Sequence, residues 1–324
     1  MRPAGKRLTA FPVADPVSRP APAHAREERP LFAIGLRLMA MLCIAIMFAC
    51  GKVIAERHVT LVETLFYRQA LALPLTFAWV AWTQGVGALR TRRLGAHASR
   101  TILGLTGMML NFSSYILLPL TEATTIGFTM PIFATILSAL ILREQTGIHR
   151  WAAVVLGFVG VLVMVGPDSG HFPPLGLTVA LAAAGVTATI AILLRNLGRT
   201  ENTGAIVFWF TLLSMPILIV LMPFYARGHD AETWAIIVLM AITGGIAQLG
   251  MTGALRWAPV SVVLPMDYST VLWSTALGWL IWGEWPRTTT WIGAALIIVS
   301  GLYIAWREHR RGIRAMRDAD MTVT

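Results

Sequence analysis

The chain has 324 residues, of which 56% are hydrophobic and 13% charged, and its mean hydropathy is +0.68. Soluble domains carry near 25% charged residues, so a deficit of this size excludes an ordinary soluble domain. The net charge of +10 does not mark a nucleic-acid binder, because the Arg and Lys residues sit in short segments between long apolar runs.

Residues 1–31 are rich in Pro, Ala and charge and have no apolar period, which predicts a disordered cytoplasmic tail. Ala23-His24-Ala25 precedes the first apolar run, whereas a signal-peptide cleavage site follows one, so the first helix is predicted to be retained as an anchor. Crossing about 30 Å of hydrocarbon takes roughly 20 residues. Runs of that kind lie near 32–51, 61–83, 100–118, 122–142, 150–166, 174–194, 203–224, 234–256, 260–282 and 289–306. They predict an all-α polytopic membrane protein of ten transmembrane helices, closed by a basic cytoplasmic tail at 307–324. Cys43 and Cys50 fall seven residues apart on one run, about 10 Å along a helix, too far for a disulfide.

With the N-terminus inside, twenty-one Arg and Lys residues fall in cytoplasmic segments, Arg37 and Arg100 among them. Four fall outside (Lys52, Arg57, Arg227 and Arg287), and Arg68 lies within a span. A bias of this size predicts a bacterial inner-membrane protein with both termini cytoplasmic.

The two halves, 32–167 and 174–306, match at an offset of 140 positions. Leu142-Arg143-Glu144 aligns with Trp282-Gly283-Glu284, Trp151 aligns with Trp291, and the apolar runs keep the same rhythm. Five spans per half is an odd number, so the second half enters the membrane from the opposite side. Two inverted five-helix repeats are the architecture of alternating-access carriers.

Two segments carry a resemblance. Leu118-Pro119-Leu120-Thr121-Glu122-Ala123 continues to Pro131 and ends at Leu142-Arg143-Glu144, and Ala258-Pro259-Val260-Ser261 continues through Pro265-Met266-Asp267-Tyr268 to Gly283-Glu284. Together they resemble the signature segments of EamA-type carriers of the drug/metabolite transporter superfamily, over residues 32–306. The first half departs in having Arg143 where Gly usually precedes the Glu, and the second lacks a counterpart of Pro131. The resemblance implies transport of amino acids, nucleotides, vitamins or other metabolites through a central cavity, with no cofactor.

Polar groups inside spans are costly and usually face a cavity or a partner. Arg68 suits bidentate capture of a carboxylate or phosphate, the alternatives being a structural ion pair or snorkelling to the outer surface. Asp267, following Pro265, suits a substrate amine or a coupling proton, the alternative being a helix-end acid; Tyr268 beside it offers an aromatic wall. Arg68 and Asp267 together would suit a zwitterion. Asn111, Ser114 and Tyr115 share one face of the third span, and Gln248 and Thr252 form an i,i+4 pair on the eighth, facing either a central site or neighbouring helices. Glu144 and Glu284 sit at helix ends, where capping or pairing with Arg is expected. Glycines 157, 160, 244, 245, 250 and 253 are expected to let helices approach closely. No Walker motif, zinc-ligand set or nucleophile–base constellation occurs, which disfavours a pump or an enzyme.

The expected function is secondary transport of a small polar metabolite, an amino acid or similar solute, by export or exchange. The expected partners are that small molecule and the lipid bilayer, with no nucleic acid and an open oligomeric state. A translocator of lipid or lipid-linked phosphate is the alternative and calls for more basic residues in the cavity.

Overall fold

The computed structural model describes residues 29–140, 147–166, 173–198, 200–258 and 260–321. All regular structure among them is helical. The first repeat consists of α1 (Pro30–Glu56), α2 (Leu61–Thr83), α3 (Leu94–Leu117), α4 (Leu120–Gly127), α5 (Met130–Leu140) and α6 (Ile148–Val165). The second consists of α7 (Pro174–Leu197), α8 (Thr203–Tyr225), α9 (Ala231–Trp257), α10 (Val260–Val263), a 3-10 turn (Leu264–Tyr268), α11 (Ser269–Trp282) and α12 (Thr288–Met321). Residues 1–28 of the expected tail, Leu142-Arg143-Glu144 and Pro259 lie outside the described residues.

Among the described residues, seven segments are long and apolar enough to cross a membrane on their own: α1, α4 with α5, α6, α7, α8, α9 and α12. The remaining arms of the ten-helix plan are α2, α3 and the broken α10–α11 segment. The first two bring buried Glu63, Gln69, His97 and Thr101 into their spans, which is the cost in hydropathy of facing polar neighbours. The chain is thus a multi-pass membrane protein.

The fourth and ninth spans are not the continuous helices expected. α4 ends at Gly127 and α5 begins at Met130, while the 3-10 turn ends at Tyr268 and α11 begins at Ser269. These breaks are 140 positions apart. Pro131 and Pro265 lie beside them, and a proline within a helix withdraws one N–H and crowds the preceding turn. α12 runs past the expected boundary at 306 to Met321, since its Arg- and Ala-containing end favours helix once the preceding turns nucleate it.

Helix ends follow local chemistry. Thr60 and Glu63 form a capping box at the start of α2. Fully buried Glu63 also accepts hydrogen bonds from the Arg227 amide at 2.8 Å and meets His229 Nε2 at 2.9 Å, tying α2 to the α8–α9 loop. α11 ends on Gly283 at φ +69°, with its amide donating to the Trp279 carbonyl and the Glu284 amide to the Gly278 carbonyl. The first of these bonds closes an αL cap, which needs a left-handed residue and so explains glycine ahead of Glu284.

Packing follows the repeat. α1 packs on α9 as α3 packs on α7, α2 and α8 meet each other, and α6 and α12 pair at one edge. A Cβ added at Gly293 would lie 2.5 Å from the Gly160 carbonyl oxygen, so α6 and α12 touch backbone to backbone. A Cβ at Gly250 would lie 3.0 Å from Ala40 Cβ of α1, a looser but still close approach. The largest apolar cluster gathers Met47, Ile54, Leu65, Phe112, Ile237 and Met240 from α1, α2, α3 and α9. Cys43 and Cys50 are free thiols.

Candidate functional site

A cavity of about 290 Å³ opens between α2, α3, α8 and α9, where both repeats contribute walls. Its polar lining includes Arg68, Gln69, Arg100, Thr211, Gln248 and Thr252, against apolar Ile206, Val207 and Phe210. Helical spacing explains the lining: Gln248 and Thr252 are one turn apart on α9, as are Val207 and Thr211 on α8. Gly244 and Gly245 line it as well. A Cβ at Gly244 would lie 2.9 Å from Met47 Sδ and 3.5 Å from Arg68 Nε, and one at Gly245 3.1 Å from Leu75, so both also let side chains of neighbouring helices approach closely.

Arg68 reaches into this space without a carboxylate partner among the described residues. Its Nη1 donates to Gln69 Oε1 at 3.0 Å, and Nε and Nη1 lie 3.4 Å from the sulfurs of Met47 and Met108. Gln69 in turn donates to Ser214 on α8 at 2.8 Å, which holds its oxygen toward Arg68. Arg100 comes to the same cavity from α3. Its guanidinium lies over the Phe210 ring at 4.3 Å, and its Nε and Nη1 are buried without a hydrogen-bond acceptor among the described residues.

Asp267 has a different place. Arg37 Nε and Nη2 hold its two carboxylate oxygens at 2.5 and 2.6 Å, and Arg37 Nη1 donates to the Met251 carbonyl at 3.2 Å. Arg37 is 4% exposed and the Asp267 side chain 25%. This bidentate pair joins α1 to the 3-10 turn before α11. The sequence counted Arg37 as a topological marker at the mouth of the first span, but the structure buries it as a counter-ion. Asp267 is not among the residues lining the Arg68 cavity, so the two do not form the opposed charges of a zwitterion site.

The other sequence candidates divide between cavity and frame. Gln248 lines the cavity with Arg68. Asn111 donates to the Gly107 carbonyl at 2.7 Å and to Thr187 at 3.4 Å, joining α3 to α7. Tyr115 stacks on Phe48 at 3.9 Å, and its hydroxyl meets Thr124 at 3.2 Å. Tyr268 packs on Phe128 at 4.7 Å, so the residues at the two helix breaks touch. None of these three is among the lining of the cavity. Around them, Thr121 bonds Thr275 at 3.1 Å and Thr124 bonds Ser274 at 2.8 Å, where the broken spans cross.

A second cavity, of about 240 Å³, lies at the opposite end of the helices, between the start of α4 and the ends of α6 and α11. Glu122, Glu284 and Arg287 line it. Lys52 closes it from α1, donating to the Leu118 carbonyl at 3.2 Å and pairing with Glu284 at 3.5 Å. Glu284 is therefore a helix-end acid paired with a cation, though the partner is Lys52 and not an Arg. Glu122 lies close to Thr290, 3.4 Å away.

Sequence reasoning missed Arg100 as a cavity residue. It opens the third apolar run after a basic cluster, where a charge marking the membrane side and a charge turned inward look alike. Phe210, one turn along α8 from the other lining residues, carried no signal of its own.

Comparison with known proteins agrees with this architecture. The model of the EamA-like transporter family matches twice, over residues 31–166 and 174–306. A riboflavin transporter of Vibrio cholerae is 28% identical over 70% of this chain and 76% of its own length. An S-adenosylmethionine uptake transporter of Rickettsia prowazekii is 27% identical over 76% of this chain and 84% of its own. An uncharacterized transporter of Helicobacter pylori is 26% identical over 85% and 95%. A solved crystal structure superposes with a TM-score of 0.53 at 20% identity, covering 84% of this chain and 98% of its own, a likeness of fold alone. With both halves matched, the chain belongs to the EamA-like transporter family and is a non-enzymatic transporter of small metabolites.

Proposed function

We propose that the protein is a secondary carrier of the bacterial inner membrane, with both termini cytoplasmic, that binds a small polar metabolite in the α2–α3–α8–α9 cavity. One observation carries this: the cavity sits between helices of two inverted repeats and gathers Arg68, Arg100 and Gln248 at one space inside an apolar bundle. Polar groups assembled at such cost in the membrane are expected to serve a solute. The frame gives alternating access a route, because exchanging the conformations of two similar halves opens the opposite side. The cavity at the other end, behind Lys52 and Glu284, is where the second opening would form.

Amino acids and similarly small metabolites are the first solutes to test, with export or exchange as the expected direction. The relatives named for riboflavin and S-adenosylmethionine bring vitamins, nucleoside-like solutes and import into the same test. Two arginines at the cavity are what a translocator of lipid-linked phosphate would call for, but the relatives named for riboflavin and S-adenosylmethionine favour a small solute instead. The deciding experiment is counterflow in proteoliposomes: vesicles loaded with one unlabelled metabolite are presented with the same metabolite labelled. Accumulation against the label's gradient for at least one solute is the expected result. Its absence across the panel, in vesicles with correctly folded protein, would remove the carrier assignment.

A further inference from the structure

We propose that the α2–α3–α8–α9 cavity selects an organic anion, a carboxylate or phosphate monoester without a compensating ammonium group. This rests on the cavity being the carrier's binding site. The fold supplies carboxylates to other cations: Asp267 to Arg37, Glu284 to Lys52 and Glu232 to Arg57. Among the described residues it supplies none to Arg68 or Arg100, and none of those lining their cavity is acidic. Among the described residues, Arg68 has as acceptors an amide oxygen and two thioether sulfurs. Arg100 turns one ring face to account at Phe210, while its Nε and Nη1 stay without an acceptor among the described residues.

Two guanidinium ions at one cavity in a low-dielectric bundle repel each other, and each lacks the acceptors its planar fork can use. An anion entering there meets both charges and supplies those acceptors, which a neutral or cationic solute cannot do. A zwitterion would gain at its carboxylate and lose at its ammonium, for which the lining has only neutral oxygens such as those of Gln248 and Thr252. Phosphate and carboxylate share this recognition chemistry, so both belong in the test.

The test uses the full chain in nanodiscs at constant ionic strength, with thermal unfolding as the binding readout. The probes are succinate and glycerol 3-phosphate, against glycerol and putrescine as neutral and cationic controls. The expected result is a concentration-dependent rise in unfolding temperature with one or both anions and none with the controls. In Arg68→Gln and Arg100→Gln the apparent Kd for the anion should rise about tenfold to a hundredfold, the loss from one charged hydrogen-bond pair. Arg68→Lys and Arg100→Lys keep the charge but lose the fork, so they should fall between; if a Gln variant does not fold, they decide. No shift from either anion, or wild-type anion affinity in the Gln or Lys variants, overturns the proposal. Counterflow of a cationic or neutral metabolite, unchanged in Arg68→Gln, also overturns it while leaving the carrier assignment standing. Anion binding with no counterflow of any solute would do the reverse.

Discussion

Asp267→Asn keeps the size of the side chain and removes the charge that Arg37 Nε and Nη2 hold at 2.5 and 2.6 Å. Arg37, 4% exposed, would then keep the Met251 carbonyl at 3.2 Å and one amide oxygen at position 267 as acceptors, but no counter-charge. Removing one partner of a buried pair costs about 3–5 kcal/mol, because the other charge stays behind uncompensated. A Coulomb energy near 4 kcal/mol, for unit charges about 4 Å apart at an effective dielectric of about 20, falls in the same range. Asp267 is 25% exposed, and solvent at that end moves the expectation to about 3 kcal/mol.

The assay is a double-mutant cycle of Asp267→Asn, Arg37→Gln and the two combined, read by unfolding of purified protein and by transport per folded molecule. Each single change should destabilise, with Asp267→Asn the more damaging because it strands a cation. The double variant should recover about 2 kcal/mol or more relative to the sum of the singles, since neither charge remains. Transport per folded molecule should stay near wild type in Asp267→Asn while membrane abundance falls. Wild-type stability with lost transport in that variant would refute the structural role and return Asp267 to the transport site.

Two further outcomes test the frame. Reporter fusions after residues 95, 200 and 312 should read cytoplasmic and fusions near 57, 229 and 287 periplasmic; a periplasmic signal after residue 200 would break the inverted repeat. Gly293→Ala should destabilise by about 1–3 kcal/mol in thermal unfolding, because its Cβ would meet the Gly160 carbonyl oxygen at 2.5 Å and Met164 Cβ at 2.7 Å. Gly35→Ala, in open space, is the control expected to be neutral or mildly stabilising.

The helices were legible in sequence because each apolar run must satisfy its own backbone inside lipid, and only a helix does so within a single segment. The breaks in the fourth and ninth spans were not. Pro131 and Pro265 hinted at them, but a proline in a membrane helix also fits a simple kink, and only the packed partner at Phe128 and Tyr268 settles which. The lining of the candidate cavity was legible in part. Arg68 stands alone in its span and Gln248 lies on a polar face, so both could be singled out. Arg37 and Arg100 could not, since a basic residue near the end of an apolar run looks the same whether it marks a membrane face or turns inward. What distinguishes them lies far off in the chain: Asp267 for Arg37, and for Arg100 Phe210, with no carboxylate among the described residues.

The 140-position offset also separates what the repeat supplies from what the site requires. Helix ends, breaks and pairings correspond between the halves, but the charged residues do not. Arg68 aligns with Phe208, Arg100 with Met240, Arg37 with Leu177 and Asp267 with Gly127. Glu122 aligns with Val262, and among the acids at the opposite cavity only Glu284 has an acidic counterpart, at Glu144. Two conformations of nearly equal energy need a symmetric frame, because each half must adopt the shape of the other. A binding site needs no such symmetry: a solute with one charged end is held by groups placed for that end. Both cavity cations come from the first repeat, on α2 and α3, and they face α8 and α9 of the second. Among the described lining residues, the charge of the cavity thus comes from one repeat alone, against an uncharged wall from the other.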